Sequence, residues 1–176
     1  EKWRATASID SADKVVIANG DEGDPGSYID RLLLEYDPHA VLEGLALCAL
    51  AVGAAHGIVY VRSEYPQALR RMQQAVAEAT AAGILGSASA DFPLAFAVEV
   101  IAGRGSYVCG EETALLNAIE GRRGEVRIRP PYPSVTGLHG HPTVVNNVET
   151  LVNIPWIATQ GAEAYRQFGS EHSPGT

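Results

Sequence analysis

Three carboxylates stand close together in a short stretch near the start of the chain. The sequence VIANGDEGDPG, residues 16–26, leads from an apolar segment ending at Asn19 into Asp21, Glu22 and Asp24. Glycine accepts positive backbone φ angles and proline fixes φ, so this pattern predicts a tight loop at the carboxyl end of a strand. In open α/β sheets, ligands bind at that end of the strands. A solvated acidic turn after an edge strand is the competing interpretation.

A second stretch, GRGSYVCGEET over residues 103–113, again combines glycines with adjacent carboxylates after an apolar run. Its glycines would let the backbone approach a flat or bulky ligand closely. Gly110 leads into Glu111 and Glu112 at a predicted helix start, where negative charge is favoured, so these carboxylates are either partners of the helix dipole or part of a binding site. The stretch is not a dinucleotide fingerprint, because Val108 occupies the position of the third glycine.

Two later stretches could also contact a ligand. Asn146 and Glu149 have the spacing of a helix N-cap and its reciprocal partner, and the same helix start could hold a phosphate without adding charge. Arg129 and Tyr132 belong to RPPYP, a stiff extended segment that carries a cation and an aromatic ring. The ring could stack on a base or simply pack on the surface.

The sequence does not favour a metal site. His139 and His141 have no third ligand at a suitable spacing, and the acidic loop has Gly23 at a ligand position of the calcium-loop template and no glutamate at its twelfth position. Cys48 and Cys109 lie far apart in unlike settings, which fits neither a disulfide framework nor a cysteine-rich metal site. This cysteine usage fits a reducing cytoplasm.

Length and composition predict one soluble domain. The chain has 176 residues, of which 46% are hydrophobic, enough to bury a full core. A net charge of −8 argues against nucleic acid, which needs clustered lysine and arginine. The longest apolar run, residues 45–55, is too short to span a bilayer, so no membrane insertion is expected. Neither end resembles a natural terminus, and we expect residues 1–176 to be an excerpt of a longer chain.

Apolar periodicity predicts strands that alternate with helices, and hence an α/β domain with a mainly parallel sheet. Gly57 is predicted to end the second helix, and prolines and glycines leave residues 121–142 without regular structure. Strands are predicted at 14–19, 58–61 and 92–102, and helices at 28–35, 39–56, 66–82, 111–120, 146–158 and 162–168.

Five motifs in order give the chain a specific family resemblance. They are NGDEGDPG, YVRSEYP, GRGSYVCGEETAL, EGRRG followed by RPPYP, and PTVVNNVETL. Together they resemble the FMN- and NADH-binding flavoprotein subunit of NADH dehydrogenases, the 51 kDa (NuoF-like) subunit of respiratory complex I. Related subunits are the diaphorase subunit of NAD-reducing hydrogenases and the β subunit of NAD-dependent formate dehydrogenases. The resemblance extends over residues 2–157.

The resemblance implies a Rossmann-like three-layer α/β fold and assigns roles to individual residues. Glu22 and Glu112 are expected to shape the site, and no side chain is expected to act as a catalytic acid or base. The expected contacts to FMN and NADH are Lys2, Asn19, Asp21, Glu22, Asp24, Gly110, Glu111, Glu112, Arg129, Tyr132, Asn146, Asn147 and Thr150. Among these, Asn146, Asn147 and Thr150 match the motif that helps to hold the flavin phosphate.

The resemblance also implies a reaction and partners. Hydride would pass between NADH and FMN, and the electrons would continue to iron–sulfur subunits of a larger complex, including a 24 kDa-like [2Fe–2S] subunit. The family's glycine-rich flavin loop, ubiquitin-like domain and [4Fe–4S] helical domain are not in this sequence. Glu22 or Asp24 is expected to accept hydrogen bonds from a ribose and to repel the 2′-phosphate of NADPH.

Two other functions remain open at this point. The chain could be a scaffold fragment of the same fold that binds no flavin by itself. It could also be a flavin-dependent relative that uses another electron donor, although the acidic loop argues against this. The sequence does not decide between respiratory complex I, a hydrogenase and a formate dehydrogenase as the parent complex.

Overall fold

A sheet of four parallel strands forms the centre of the computed structural model, which describes residues 1–88 and 95–175. The strand order is β3-β2-β1-β4, and β1 pairs with both β2 and β4. The register places Asn19 of β1 opposite Tyr60 and Asn147. The strands are β1 (Val15–Gly20), β2 (His56–Val61), β3 (Ala97–Ala102) and β4 (Thr143–Asn147).

Helices connect the strands, and a short hairpin closes the described chain. The helices are α1 (Lys2–Ala7), α2 (Ile29–Tyr36), α3 (Pro38–Val52), α4 (Pro66–Ala81), α5 (Glu112–Ile119), α6 (Val148–Gln160) and α7 (Ala162–Tyr165), with 3₁₀ turns at Tyr107–Gly110 and Leu138–Gly140. The hairpin pairs β5 (Gly169–Ser170) with β6 (Ser173–Pro174). Within the described residues, no helix combines the length and apolar character that a membrane span requires.

The sheet separates two apolar clusters, which makes the domain three-layered. Alternating residues of β1 point to opposite faces: Val16 and Ala18 join the larger cluster with α2, α3, α4 and α6, whereas Val15 and Ile17 join the smaller cluster with α5. Strands buried on both faces explain the continuous apolar runs in the sequence. The predicted α/β class with a mainly parallel sheet is confirmed.

The first half of the chain follows its sequence signals closely. Pro38 and Pro66 begin α3 and α4, within one residue of the predicted starts at 39 and 66, because proline fits the first turn of a helix. The predicted helix end at Gly57 is wrong, since α3 ends at Val52 and Gly53 takes the left-handed conformation with φ +74°. A left-handed glycine next to the last turn is the usual helix stop, so Gly57 is left free to belong to β2.

The third predicted strand, residues 92–102, is only partly testable. Residues 92–94 lie outside the described residues, and the strand itself begins at Ala97. Phe96 immediately precedes it and is fully buried beside Gly57. The apolar pattern therefore extends beyond the strand because it also includes a core residue outside the sheet.

The region around residue 146 differs from its prediction. We expected a helix from 146 with Asn146 as its cap, but β4 ends at Asn147 and α6 begins at Val148. Asn147 is the cap, and its Oδ1 accepts from the Glu149 N–H at 2.9 Å. The sequence analysis did not predict β4, for two reasons. No turn residue separates the strand from the helix in PTVVNN, and asparagine is uncommon in strands. The helix α1 was also not predicted, and α7 is shorter than expected.

The packing of α3 on α6 depends on Gly44. A Cβ atom added there would lie 2.1 Å from the Leu151 carbonyl oxygen. We predict that Gly44→Ala lowers the free energy of unfolding by about 2–3 kcal/mol, because α6 would have to move away from α3. Urea unfolding measures the change. Glu43→Ala, at an exposed position of the same helix, is the matched control and should stay within about 0.5 kcal/mol of wild type. Equal losses in both variants would contradict the prediction.

Candidate functional site

A cavity of about 590 Å³ opens where β1, β3 and β4 end. The chain continues from β1 to β2 and β3 on one side, and β4 returns on the other side of β1, so the connections diverge between β1 and β4. Ligands bind at such points in open α/β sheets, and the volume is in the range of small-molecule sites. The acidic loop 21–24, the start of α2, the turn Tyr107–Gly110 with Glu111, and Asn147 with Glu149 form the wall.

The Glu22 carboxylate holds the acidic loop in place. Its Oε1 accepts from the Ser27 hydroxyl and the Asp30 N–H, both at 3.0 Å. Its Oε2 accepts from the Arg31 N–H at 3.1 Å and from the Tyr65 hydroxyl at 3.2 Å. The two N–H groups belong to the first turn of α2, which has no side-chain cap from its own N-cap residue. Glu22 therefore caps α2 across the loop and has all four of its hydrogen bonds within the protein.

Tyr65 ties this loop to the end of β2. The guanidinium groups of Arg31 and Arg62 lie 5.3 Å and 5.4 Å from the centre of its ring. Arg62 also donates to the backbone carbonyl of Glu22. The acidic loop is thus fixed by both its backbone and its side chain.

Asn19 joins the acidic loop to the glycine-rich stretch. Its Oδ1 accepts from the Asp21 N–H at 3.1 Å, and its Nδ2 donates to the Gly110 carbonyl at 2.9 Å. Gly110 lies next to Asp21, since a Cβ added at Gly110 would be in ordinary van der Waals contact with the Asp21 carbonyl oxygen, at 3.4 Å. The two stretches that the sequence singled out are therefore neighbours in the fold.

Two acidic groups of the cavity wall have raised pKa values. Burial raises the pKa of Asp21 from 3.8 to about 6, against the opposing charge of Arg62. Burial also raises the pKa of Asp30 to about 6, against the hydrogen bond that Asn147 Nδ2 donates to its Oδ2 at 2.8 Å. Both groups therefore exchange protons close to neutral pH.

Tyr107 closes the cavity wall above the acidic loop. Its hydroxyl donates to Asp24 Oδ1 at 2.8 Å, and its ring covers the backbone of Gly23. This residue was not identified as a site residue from the sequence, although it lies within the glycine-rich stretch. Asp30 and Glu149 were also missed, because no local pattern indicates that the starts of two helices face the same cavity.

A chain of ion pairs extends from Glu111 in the cavity wall to residues outside the lining. Arg129 pairs with Glu112 at 2.9 Å and with Glu111 at 3.6 Å, and Lys2 lies 3.8 Å from Glu112. Lys2 also donates to the Val145 carbonyl. One oxygen of Glu111 caps α5 by accepting from two N–H groups of its first turn, so Glu111 serves both the helix and the cavity wall.

Asn146 and Thr150 face a second cavity of about 370 Å³. Asn146 accepts from the indole N–H of Trp3 at 3.5 Å and donates to the Cys48 sulfur at 3.6 Å. Its neighbour Asn147 faces the first cavity, because successive side chains of a strand point to opposite faces. The three residues of the PTVVNNVET motif are thus divided between two adjoining cavities.

The predicted site residues fall into two groups. The first cavity is lined by Asn19, Asp21, Glu22, Asp24, Gly110, Glu111 and Asn147, whereas Lys2, Glu112, Arg129, Tyr132, Asn146 and Thr150 lie outside its lining. Tyr132 is exposed. Among residues 1–88 and 95–175, no group of three or more metal-binding side chains is arranged to hold an ion.

This combination of a parallel α/β sheet and a ligand cavity at its diverging strand ends defines a cofactor-binding α/β domain. Residues 1–156 match the family model described as the Nuo51 FMN-binding domain. The chain belongs to this family, and the resemblance drawn from the five motifs is confirmed.

Curated relatives carry names from two kinds of complex. The chain is 45% identical to an NADH-quinone oxidoreductase subunit of Rhizobium meliloti over 99% of its length and 41% of that protein. It is 49% identical to the corresponding NADH-quinone oxidoreductase subunit of Mycobacterium tuberculosis strain H37Rv over 91% of its length and 36% of that protein. It is 43% identical to "NADP-reducing hydrogenase subunit HndC" of Solidesulfovibrio fructosivorans over 99% of its length and 36% of that protein. The chain thus spans about two fifths of these relatives.

A solved structure agrees with the fold. A chain of an NAD⁺-reducing [NiFe]-hydrogenase in the H₂-reduced state superposes with a TM-score of 0.88 at 41% sequence identity. The match covers 99% of this chain and 29% of the hydrogenase chain.

Removing one oxygen of the Glu22 carboxylate should loosen the acidic loop. In Glu22→Gln the side-chain NH₂ would replace an oxygen that accepts from one N–H and one hydroxyl group, and it cannot accept from either. We therefore predict a loss of about 3 kcal/mol in the free energy of unfolding. Chemical denaturation measures this loss. Glu171→Gln, at an exposed position near the end of the chain, is the control and should change stability by less than about 0.5 kcal/mol. An unchanged stability of Glu22→Gln would contradict the anchoring role.

Asp30 should make stability depend on pH. Its pKa is 3.8 in the unfolded chain and about 6 in the fold, so between these values the folded state binds more protons. The stability that the protonated Asp30 carboxyl gives to the fold is fully present below pH 3.8 and is lost as the pH rises through about 6. We predict that the unfolding free energy of Asp30→Asn falls less than that of wild type from pH 4 to pH 7, measured by urea unfolding.

The difference between variant and wild type cancels the contributions of the other titrating groups. Asp13→Asn, at an exposed position, is the control and should follow the wild-type profile. Parallel profiles for Asp30→Asn and wild type would contradict the assignment.

Proposed function

We propose that residues 1–176 are the FMN- and NADH-binding domain of an NADH-oxidising flavoprotein subunit. The observation that carries this proposal is the convergence of three separate sequence stretches, around Asp21, Gly110 and Asn147, on one cavity. Membership of the Nuo51 FMN-binding family and the functions in the names of the relatives support it. The walls of this cavity would hold FMN beside NADH, between which hydride would be transferred.

The residues of the cavity fit a flat flavin. At Gly110 the missing side chain leaves the backbone open to the ligand. Ile29 and Val108 provide apolar surface, and the amides of Asn19 and Asn147 provide neutral polar groups at the rim. The start of α6, with Thr150 and the second cavity beside it, is suited to a phosphate.

The protein's part in the reaction is positioning. FMN, when bound, supplies a ring that accepts hydride from nicotinamide and can release the electrons one at a time. The chain would orient the two rings, and no side chain has to act as a general acid or base. The anchoring of the acidic loop by Glu22 provides the rigidity that this positioning requires.

The preference for NADH over NADPH is assigned to Asp24. All four hydrogen-bonding positions of Glu22 are engaged within the protein. Asp24 is exposed at the cavity wall and uses one oxygen for Tyr107, so its other oxygen can accept from a ribose hydroxyl. Its negative charge repels a 2′-phosphate.

The two cysteines of this chain would not hold the iron–sulfur centres that accept electrons from FMN. Cys48 and Cys109 are both buried and cannot provide the four thiolates of a cluster. A [2Fe–2S] subunit of the 24 kDa type and a [4Fe–4S] domain of the same flavoprotein are the acceptors that the family implies. A reducing cytoplasm is the compartment in which two free cysteines are expected.

A scaffold without flavin is the second candidate. The observation in its favour is Lys2, which contacts the Val145 carbonyl and Glu112 instead of lining the first cavity. Such a fragment would keep the fold but would lack the cationic contact to the cofactor that the family implies.

Flavin binding separates the two candidates. Titration of FMN with the chain should quench the flavin fluorescence, and adding NADH without oxygen should bleach the flavin absorbance. Gly110→Leu should raise the FMN dissociation constant at least about tenfold, because its side chain would fill the cavity next to the Asp21 carbonyl. Ala12→Leu, at an exposed loop position, is the control. If the wild-type chain binds no FMN, the scaffold function is correct.

A further inference from the structure

The hydrogen bond from Tyr107 to Asp24 crosses between two loops of the cavity wall. Asp24 belongs to the loop after β1, and Tyr107 to the turn after β3, 83 positions further along the chain. Both residues line the first cavity. The donor hydroxyl lies 2.8 Å from Asp24 Oδ1, an ordinary length for an O–H···O hydrogen bond.

This bond contributes little to the stability of the fold. The side chains of Tyr107 and Asp24 are both exposed, Tyr107 at 70%. Water competes for both partners at such a position, so an exposed hydrogen bond has a small net free energy. Its effect is local: it restricts a carboxylate that would otherwise rotate freely at the cavity mouth.

Gly23 lets the Tyr107 ring reach this position. A Cβ atom on Gly23 would lie 2.7 Å from Cδ2 of the ring and 3.1 Å from Cε2. The ring therefore lies directly against the backbone between Glu22 and Asp24. A residue with a side chain at position 23 would push the ring outward and break the hydrogen bond.

We propose that Tyr107 is a positioning residue that sets nucleotide preference by fixing the Asp24 carboxylate. Tyr107 occupies Oδ1 and leaves Oδ2 directed for the ribose hydroxyls of NADH. The carboxylate is then already oriented before the nucleotide arrives, which lowers the entropic cost of binding. The same fixed charge is held where a 2′-phosphate would have to lie. This inference rests on the proposed function, because it assumes that Asp24 meets the ribose.

Tyr107→Phe tests the proposal by removing only the hydroxyl. In the FMN-loaded chain, with ferricyanide as electron acceptor, KM for NADH should rise about five- to tenfold while kcat stays within about twofold. The NADH to NADPH ratio of kcat/KM should fall by at least about threefold. The melting temperature should stay close to that of wild type. A purely structural role for Tyr107 would lower the melting temperature and leave the ratio unchanged.

Two further variants locate the effect in the Asp24 contact. Gly23→Ala should reproduce the KM increase of Tyr107→Phe, because it displaces the ring without altering a polar group. In an Asp24→Ala background, Tyr107→Phe should have no further effect on the ratio, since the carboxylate that it positions is gone. Full additivity of the two changes would overturn the proposal. Tyr28→Phe, at an exposed tyrosine outside the cavity lining, is the control.

The outcomes separate this inference from the proposed function. If the wild-type chain binds FMN and is reduced by NADH but Tyr107→Phe matches wild type in KM and in the nucleotide ratio, only the positioning role is wrong. If the wild-type chain binds no FMN, the proposed function fails and the positioning role fails with it.

Discussion

The buried carboxylate of Glu22 joins the acidic loop to α2 and to Tyr65 behind the cavity wall, and the shape of the site depends on it. Through one side chain the loop after β1 is tied to the first turn of α2, to Ser27 and to Tyr65 near the end of β2. A charged group is rarely buried unless all its hydrogen bonds are made, and here donors surround it. The Glu22 carboxylate is therefore not available to a ligand. It holds the loop that carries Asp21 and Asp24 in place.

The electrostatics of the cavity follow from the same burial. Asp21 and Asp30 have pKa values raised to about 6, so part of the negative charge of the wall is removed by proton binding just below neutral pH. The exposed Asp24 differs from them because its carboxylate is held by Tyr107 at the surface. Burial therefore separates Asp21, Glu22 and Asp30, which are enclosed in the wall, from Asp24, which is exposed at its surface.

Much of the fold was predictable because its signals are local. Pro38 and Pro66 mark helix starts, and the apolar runs of β1 and β2 mark buried strands, since each signal depends on a few neighbouring residues. The prediction failed where two signals overlapped. Asn146 has the pattern of a helix cap, yet pairing with β1 keeps it in a strand opposite Ala18, and the cap moves to Asn147. The pairing of two strands that lie more than a hundred residues apart is not indicated by any pattern of neighbouring residues.

The sequence by itself determined the family, the α/β class and the stretches that form the cavity, because glycines and carboxylates at strand ends are constraints of local geometry. Only the tertiary structure decided the task of each side chain. Glu22 and Asp24 lie two positions apart and look equivalent in the sequence, but one is enclosed by donors from α2 and Tyr65 and the other is exposed beside Tyr107. Which partners reach a carboxylate depends on contacts between distant segments, and these exist only once the strands have paired and the helices have packed.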